Sequence, residues 1–123
     1  MNDYEKLQER RKQKALERLG TNNPICVLCG ETDWRCLELH HIAGKPFDGA
    51  LAIVCRNCHR KLSDLQKDHP QQVSAPPDPF EGIGHFLLGL ADLFALLVEK
   101  LREFGHDLIS RAGKTVEPTK VSS

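Results

Sequence analysis

The sequence predicts an α+β chain in which a small cysteine-rich strand–strand–helix unit sits between a charged N-terminal helix and a long amphipathic C-terminal helix. Three observations carry this. Cys26-x-x-Cys29 and Cys55-x-x-Cys58 form two matched pairs with 25 residues between them. Residues 3–19 are strong helix formers with neither glycine nor proline. Beyond residue 78, large apolar side chains recur at three- and four-residue steps. A length of 123 residues leaves room for one small domain with appendages.

The N-terminal segment, residues 1–20, begins with a capping pattern: Asn2 followed by Glu5 three positions on. Gly20 is placed to close the helix. Its apolar positions (Tyr4, Leu7, Ala15, Leu16 and Leu19) are sparse, so most of the helix is expected in solvent. No charged-then-apolar leader opens the chain as given, so a reducing compartment, the cytoplasm, is the expectation. There C-x-x-C pairs read as thiolate ligands rather than disulfides.

Residues 21–70 form the cysteine unit, whose organised part, Pro24–Pro70, has under fifty residues. A core so small needs a metal, a disulfide or a partner to offset its ordering entropy. Two C-x-x-C turns bring four sulfurs to one ion, and soft thiolates with tetrahedral geometry make zinc the expected metal. Cys26, Cys29, Cys55 and Cys58 are therefore structural ligands. A closed four-thiolate site has no open position, so this metal holds the fold and does not catalyse. Cys36 is left over and reads as a small apolar residue near a hairpin.

Between the pairs, Leu37-Glu38-Leu39-His40-His41 reads as a strand running into a loop with Gly44. Ala50–Val54 reads as a second strand entering a helix through about Lys67, which sets His59 on that helix facing the histidine pair. The combination LELHHIAG…VCRNCHRKL resembles the HNH endonuclease family (ββα-metal fold), specifically its members with CxxC…CxxC zinc knuckles. The likeness spans about Ile25–His69, a little over a third of the chain. It implies His40 and His59 as ligands of a catalytic divalent metal (Mg2+, Mn2+, Ni2+ or Zn2+), His41 as general base, and DNA as substrate. Two positions depart from the family pattern. Ser63 stands where a further His or Asn ligand is common, and would hold the ion only through a water. Ala50 stands where an Asn usually braces the loop carrying the base. Asn57, between the knuckle cysteines, is not that Asn.

Such chemistry suits these residue types. A neutral imidazole near its working pKa takes the proton of an attacking water, and one divalent cation polarises the phosphate and stabilises the leaving oxygen. Adjacent histidines also occur with one in a core and one in solvent, because strand neighbours point to opposite faces. Glu38 and His69 read as ordinary residues. Net charge is zero, so no global nucleic-acid signature exists. Locally, Lys45, Arg56, Arg60, Lys61 and Lys67 outnumber Asp48 and Asp64 and are candidate phosphate contacts. The cations of the N-terminal helix extend that surface, diluted by Glu5, Glu9 and Glu17.

Residues 71–79 read as a proline-rich linker. Residues 80–112 are an amphipathic helix, with Asp78 as N-cap, Pro79 in the first turn and Glu81 three after the cap. Phe86, Leu90, Leu93, Leu97, Leu101, Phe104 and Leu108 form one face, widened by Leu87, Phe94 and Val98. His85, Asp92, Glu99 and His106 recur seven apart as a polar stripe. The apolar surface exceeds what the cysteine unit covers, so a homo-oligomer through this helix is expected. Membrane attachment is the rival. The run Ile83–Val98 is shorter than the ~20 residues of a spanning helix and contains His85 and Asp92, which leaves surface binding open. Residues 113–123 read as a disordered tail. Three functions stand: an HNH nuclease, a non-catalytic zinc module of the same fold binding nucleic acid or protein, and a helix-driven assembly adaptor.

Overall fold

The computed structural model describes residues 1–47, 49–73, 75, 76 and 78–113. Helix α1 spans Asp3–Leu19, with the Asn2 side chain accepting from the Glu5 N–H at 2.8 Å. Gly20 ends it in the left-handed region at φ 80°, donating to the carbonyls of Leu16 and Glu17. Only a residue without Cβ takes that conformation cheaply. Ala15, Leu16 and Leu19 are its buried residues, so the last turn docks and the rest stands in solvent.

A short 3-10 turn, Trp34–Cys36, capped by Asp33, leads into strand β1, Leu37–His41. It pairs antiparallel with β2, Leu51–Cys55, from Leu37 opposite Cys55 to His41 opposite Leu51. Helix α2, Arg56–Gln66, follows without a loop because Cys55 both ends the strand and caps the helix. A two-stranded hairpin is marginal alone. Here Leu37, Val54 and Leu62 are almost wholly buried between the hairpin and the helices packed on it.

Helix α3 runs from Pro79 to Arg111, capped by the Asp78 side chain on the Glu81 N–H at 3.0 Å. The described residues between Pro70 and Pro79 form no helix or strand, and residues 114–123 of the expected tail lie outside the described residues. The expected single apolar face of α3 divides. Leu93 is buried with Leu96, which that face omits, while Phe86, Leu90 and Leu97 are packed against the core. Leu101, Phe104 and Leu108 remain exposed. The helix meets the length and composition of a membrane span, yet it packs on α2 and buries Leu93 and Leu96 in the core.

Gly89 is where α3 crosses the hairpin loop. A Cβ there would overlap the backbone carbonyl of Ile42, whereas one at Gly105 would meet nothing. Gly89→Val is therefore expected to lift α3 off the core, lowering stability by about 3 kcal/mol. Gly105→Ala should raise it by up to about 1 kcal/mol through helix propensity. Thermal unfolding of the two variants by circular dichroism checks the contrast.

Candidate metal centre and histidine site

Each cysteine pair occupies a tight turn. In the first, the Cys26 N–H donates to Glu31 and the Gly30 N–H returns to the Cys26 carbonyl, while the Val27 N–H joins the knuckle to Ile53 of β2. In the second, Cys55 caps α2 and accepts from the Cys58 N–H at its sulfur. All four sulfurs lie within 4.8 Å of one another. The Cys29 and Cys55 sulfurs are 3.6 Å apart, too far for a disulfide bond of about 2.05 Å. A tetrahedron of about 2.3 Å Zn–S bonds has edges of about 3.8 Å, so the donor set suits a tetrahedral metal such as zinc.

The thiols also resist carrying charge together. Burial raises Cys26, but backbone hydrogen bonds from Cys29, Cys55 and Leu28 outweigh it and bring the group to about 7. Burial, then the neighbouring Cys55 and Cys26 sulfurs, push Cys58 well above the ordinary thiol range. Burial raises Cys29 too, against a lowering backbone bond from Glu31. Several thiolates at this spacing need a cation between them. Cys36 lies outside the cluster, half-buried beside it in sequence only.

On the other side of the hairpin, β1 places His40 against His59 of α2. Their ring centroids are 5.3 Å apart, edge to face. His40 is 2 % exposed. Burial, then the positive potential of His59 and His41, hold its imidazolium down to about 4, partly offset by Asp92. The ring is therefore neutral at pH 7 with a lone pair to give. The Nδ1 of His59 is bonded to Glu38 Oε1 at 2.8 Å, which leaves Nε2 for a ligand. His59 is only partly covered, while His40 beside it is buried. Nδ1 of His41 is buried with no hydrogen-bond partner among the described residues.

Glu38 is thus no ordinary residue. Strand period sets it on the same face as His40, and that signal was present in the sequence. His69 is likewise engaged: its Nε2 lies 2.7 Å from Asp92 Oδ2 on α3, with both side chains largely covered. The polar stripe of α3 accordingly turns inward at Asp92 and at His85, which stacks on Phe47 at 4.1 Å. Gln66 was also missed. Its side-chain N–H groups donate to the carbonyls of His41 at 3.0 Å and Ile42 at 3.3 Å. It lies two helical turns from His59 on the same face. Its side chain ties down the loop that the Ala50 side chain cannot, although the Ala50 carbonyl accepts from the Ile42 N–H at 3.2 Å.

The other expected positions are less concentrated. Ser63 is exposed. Arg56 reaches Glu38 at 3.6 Å. Arg60 and Lys61 border a depression over the cysteines together with Lys100, away from the imidazoles. Lys67 pairs with Asp64 at 3.7 Å, and Lys45 is exposed in the hairpin loop. Among the described residues, the cysteines are the only group of three or more His, Cys, Asp or Glu drawn together tightly enough to ligate an ion. His40 and His59 by themselves are a two-donor pair. No family model, curated protein or solved structure matches this chain, so the functional reading rests on the residues.

Proposed function

We propose that the chain is a metal-dependent endonuclease of the HNH type, hydrolysing phosphodiester bonds in DNA, with zinc in the four-cysteine cluster. The pairing of His40 with His59, with Glu38 on the far nitrogen of His59, carries this reading. Two imidazoles, one from a strand and one from a helix, would hold a divalent cation, which would supply counter-charge at the scissile phosphate and the leaving oxygen. Glu38 fixes the tautomer of His59, so that its Nε2 lone pair points away from the carboxylate. His41 is the general base that the resemblance implies, the residue that would take the proton of the attacking water. Gln66 keeps the His41 carbonyl in place, so the base does not drift as the loop moves.

The exposed Ser63 and the lack of a third close donor favour a second reading, a non-catalytic zinc module that binds nucleic acid. Plasmid nicking in Mg2+, Mn2+, Ni2+ or Zn2+, wild type against His41→Ala, separates them. Cleavage lost in a folded, zinc-loaded variant supports the nuclease. Salt-sensitive binding without cleavage in any metal supports the module. Neither, with a concentration-dependent oligomer, leaves an assembly adaptor.

The partner of α3 is a second copy of the chain. Phe80, Leu87, Phe94, Leu101 and Leu108 recur every seven residues, and each is 58–86 % exposed. This stripe differs from the face buried on the core. A seven-residue repeat drifts by about 20° per heptad around a straight helix, roughly 80° over this length. A supercoiled partner follows such drift and a flat bilayer does not. With five acidic and three basic residues, the helix is also repelled by anionic lipid. The ten large apolar side chains left open on α3 offer on the order of 1,000 Å², against about 800 Å² a side in a stable interface. Phe94→Glu with Leu101→Glu should give a monomer by light scattering where wild type self-associates. A monomeric wild type that floats with neutral vesicles sinks the pairing.

A further inference from the structure

The chain has as many acidic as basic residues, 17 of each, yet its cations are not spread evenly. Helix α1 lies against the 3-10 turn, and a groove of about 870 Å³ opens between them. Arg11, Lys12, Lys14 and Arg18 line it from α1, and Arg35 and Arg56 line it from the opposite side. Glu5 and Glu9 are its acids, both toward the start of α1. The rest of the chain is left with eleven Lys/Arg against fifteen Asp/Glu. Among the described residues, no ion pair involves any of the four α1 cations, whereas Arg35 pairs with Asp33 at 2.9 Å. Gathering like charges around a concave surface is unfavourable by itself, and the resulting field attracts a polyanion.

We infer that this groove binds the sugar–phosphate backbone of single-stranded nucleic acid. Two further features select that ligand over an acidic peptide. Trp34 forms part of the wall, giving an unstacked base an aromatic surface. Arg56 belongs both to the groove and to the carboxylate that holds His59, through Glu38 Oε2 at 3.6 Å. A strand lying along α1 therefore ends beside the imidazole pair. The volume is that of a pocket for a ligand of modest size, which suits a short run of one strand. Of the candidate phosphate contacts expected in the cysteine unit, Arg56 is the one in this groove; the α1 cations, expected to extend that surface, converge on it because the last turn of α1 docks.

The destination of the strand rests on the nuclease reading; the groove itself does not. Trp34 is the sole tryptophan, so its emission reports occupancy directly. The experiment titrates the zinc-loaded His41→Ala chain with an oligodeoxynucleotide, the same sequence as duplex, the matching oligoribonucleotide and polyglutamate. Tryptophan emission and anisotropy are followed across a salt series. Either single strand is expected to quench Trp34 and to bind at least tenfold more tightly than the duplex. Reversing Arg11, Lys14 and Arg18 to Glu should weaken single-strand binding at least tenfold and flatten the log–log salt slope by about 2. Unchanged Trp34 emission, equal quenching by polyglutamate, equal duplex affinity or unaltered binding by the reversed variant each overturns the inference. Cleavage by the wild-type background decides the other question. A groove that binds in a chain that never cuts removes the nuclease and keeps the groove, and the converse result removes the groove alone.

Discussion

Cys58→Ser is expected to unfold the strand–strand–helix unit and to abolish metal binding by the four-cysteine cluster. Structural zinc in small domains contributes on the order of 10–16 kcal/mol at neutral pH, and a core of this size has no comparable reserve. Cys58 sits 4 % exposed at the start of α2, so its sulfur is replaced inside the core at the junction of β2 and α2, where the four-sulfur set closes. The apolar face of α3 then loses the surface that buries Leu93 and Leu96, and aggregation should follow. Metal analysis with circular dichroism checks this. The expected result is loss of bound zinc and of the cooperative thermal transition, reproduced in wild type by a strong chelator. Cys36→Ser is the control: outside the cluster, it should keep its zinc and melt within a few degrees of wild type. A Cys58→Ser chain that keeps both zinc and transition would show that the cysteines do not organise the fold.

His41→Ala is expected to lower the nicking rate by roughly 10²- to 10⁴-fold, the usual contribution of a positioned general base. Zinc content and melting should stay near wild type, because His41 ends β1 and makes no side-chain hydrogen bond among the described residues. His59→Ala should lose activity differently. Its rate should recover in part at high divalent-metal concentration, since one of two donors is gone while the base remains. Equal cleavage by wild type and His41→Ala would remove the base assignment, whatever the metal.

Several parts of the fold were legible in the residues because they depend on local chemistry. Asn2, Gly20, Asp78 and Pro79 bound α1 and α3 by capping, an interaction complete within four residues. The C-x-x-C spacing announces the sulfur cluster because each turn is its own template. Glu38 was within reach of the same reasoning, as strand alternation sets it beside His40. Gln66 was too, through the helical period that joins it to His59. The basic groove was not, because it is made by α1, the 3-10 turn and α2 together.

The sequence by itself determined the helix ends, the hairpin, the four-sulfur set and the histidine pair on the strand. The helix ends and each C-x-x-C turn follow from interactions between near neighbours in the chain, and the repeated spacing and alternation mark which of them meet. Only the tertiary structure decided which face of α3 meets the core, that Gly89 lies on Ile42, that His69 meets Asp92, and that the α1 cations face Arg56. A helix apolar on more than one side carries no local record of which side is buried. That choice is made by the shape of the surface it packs against, assembled from residues distant in sequence.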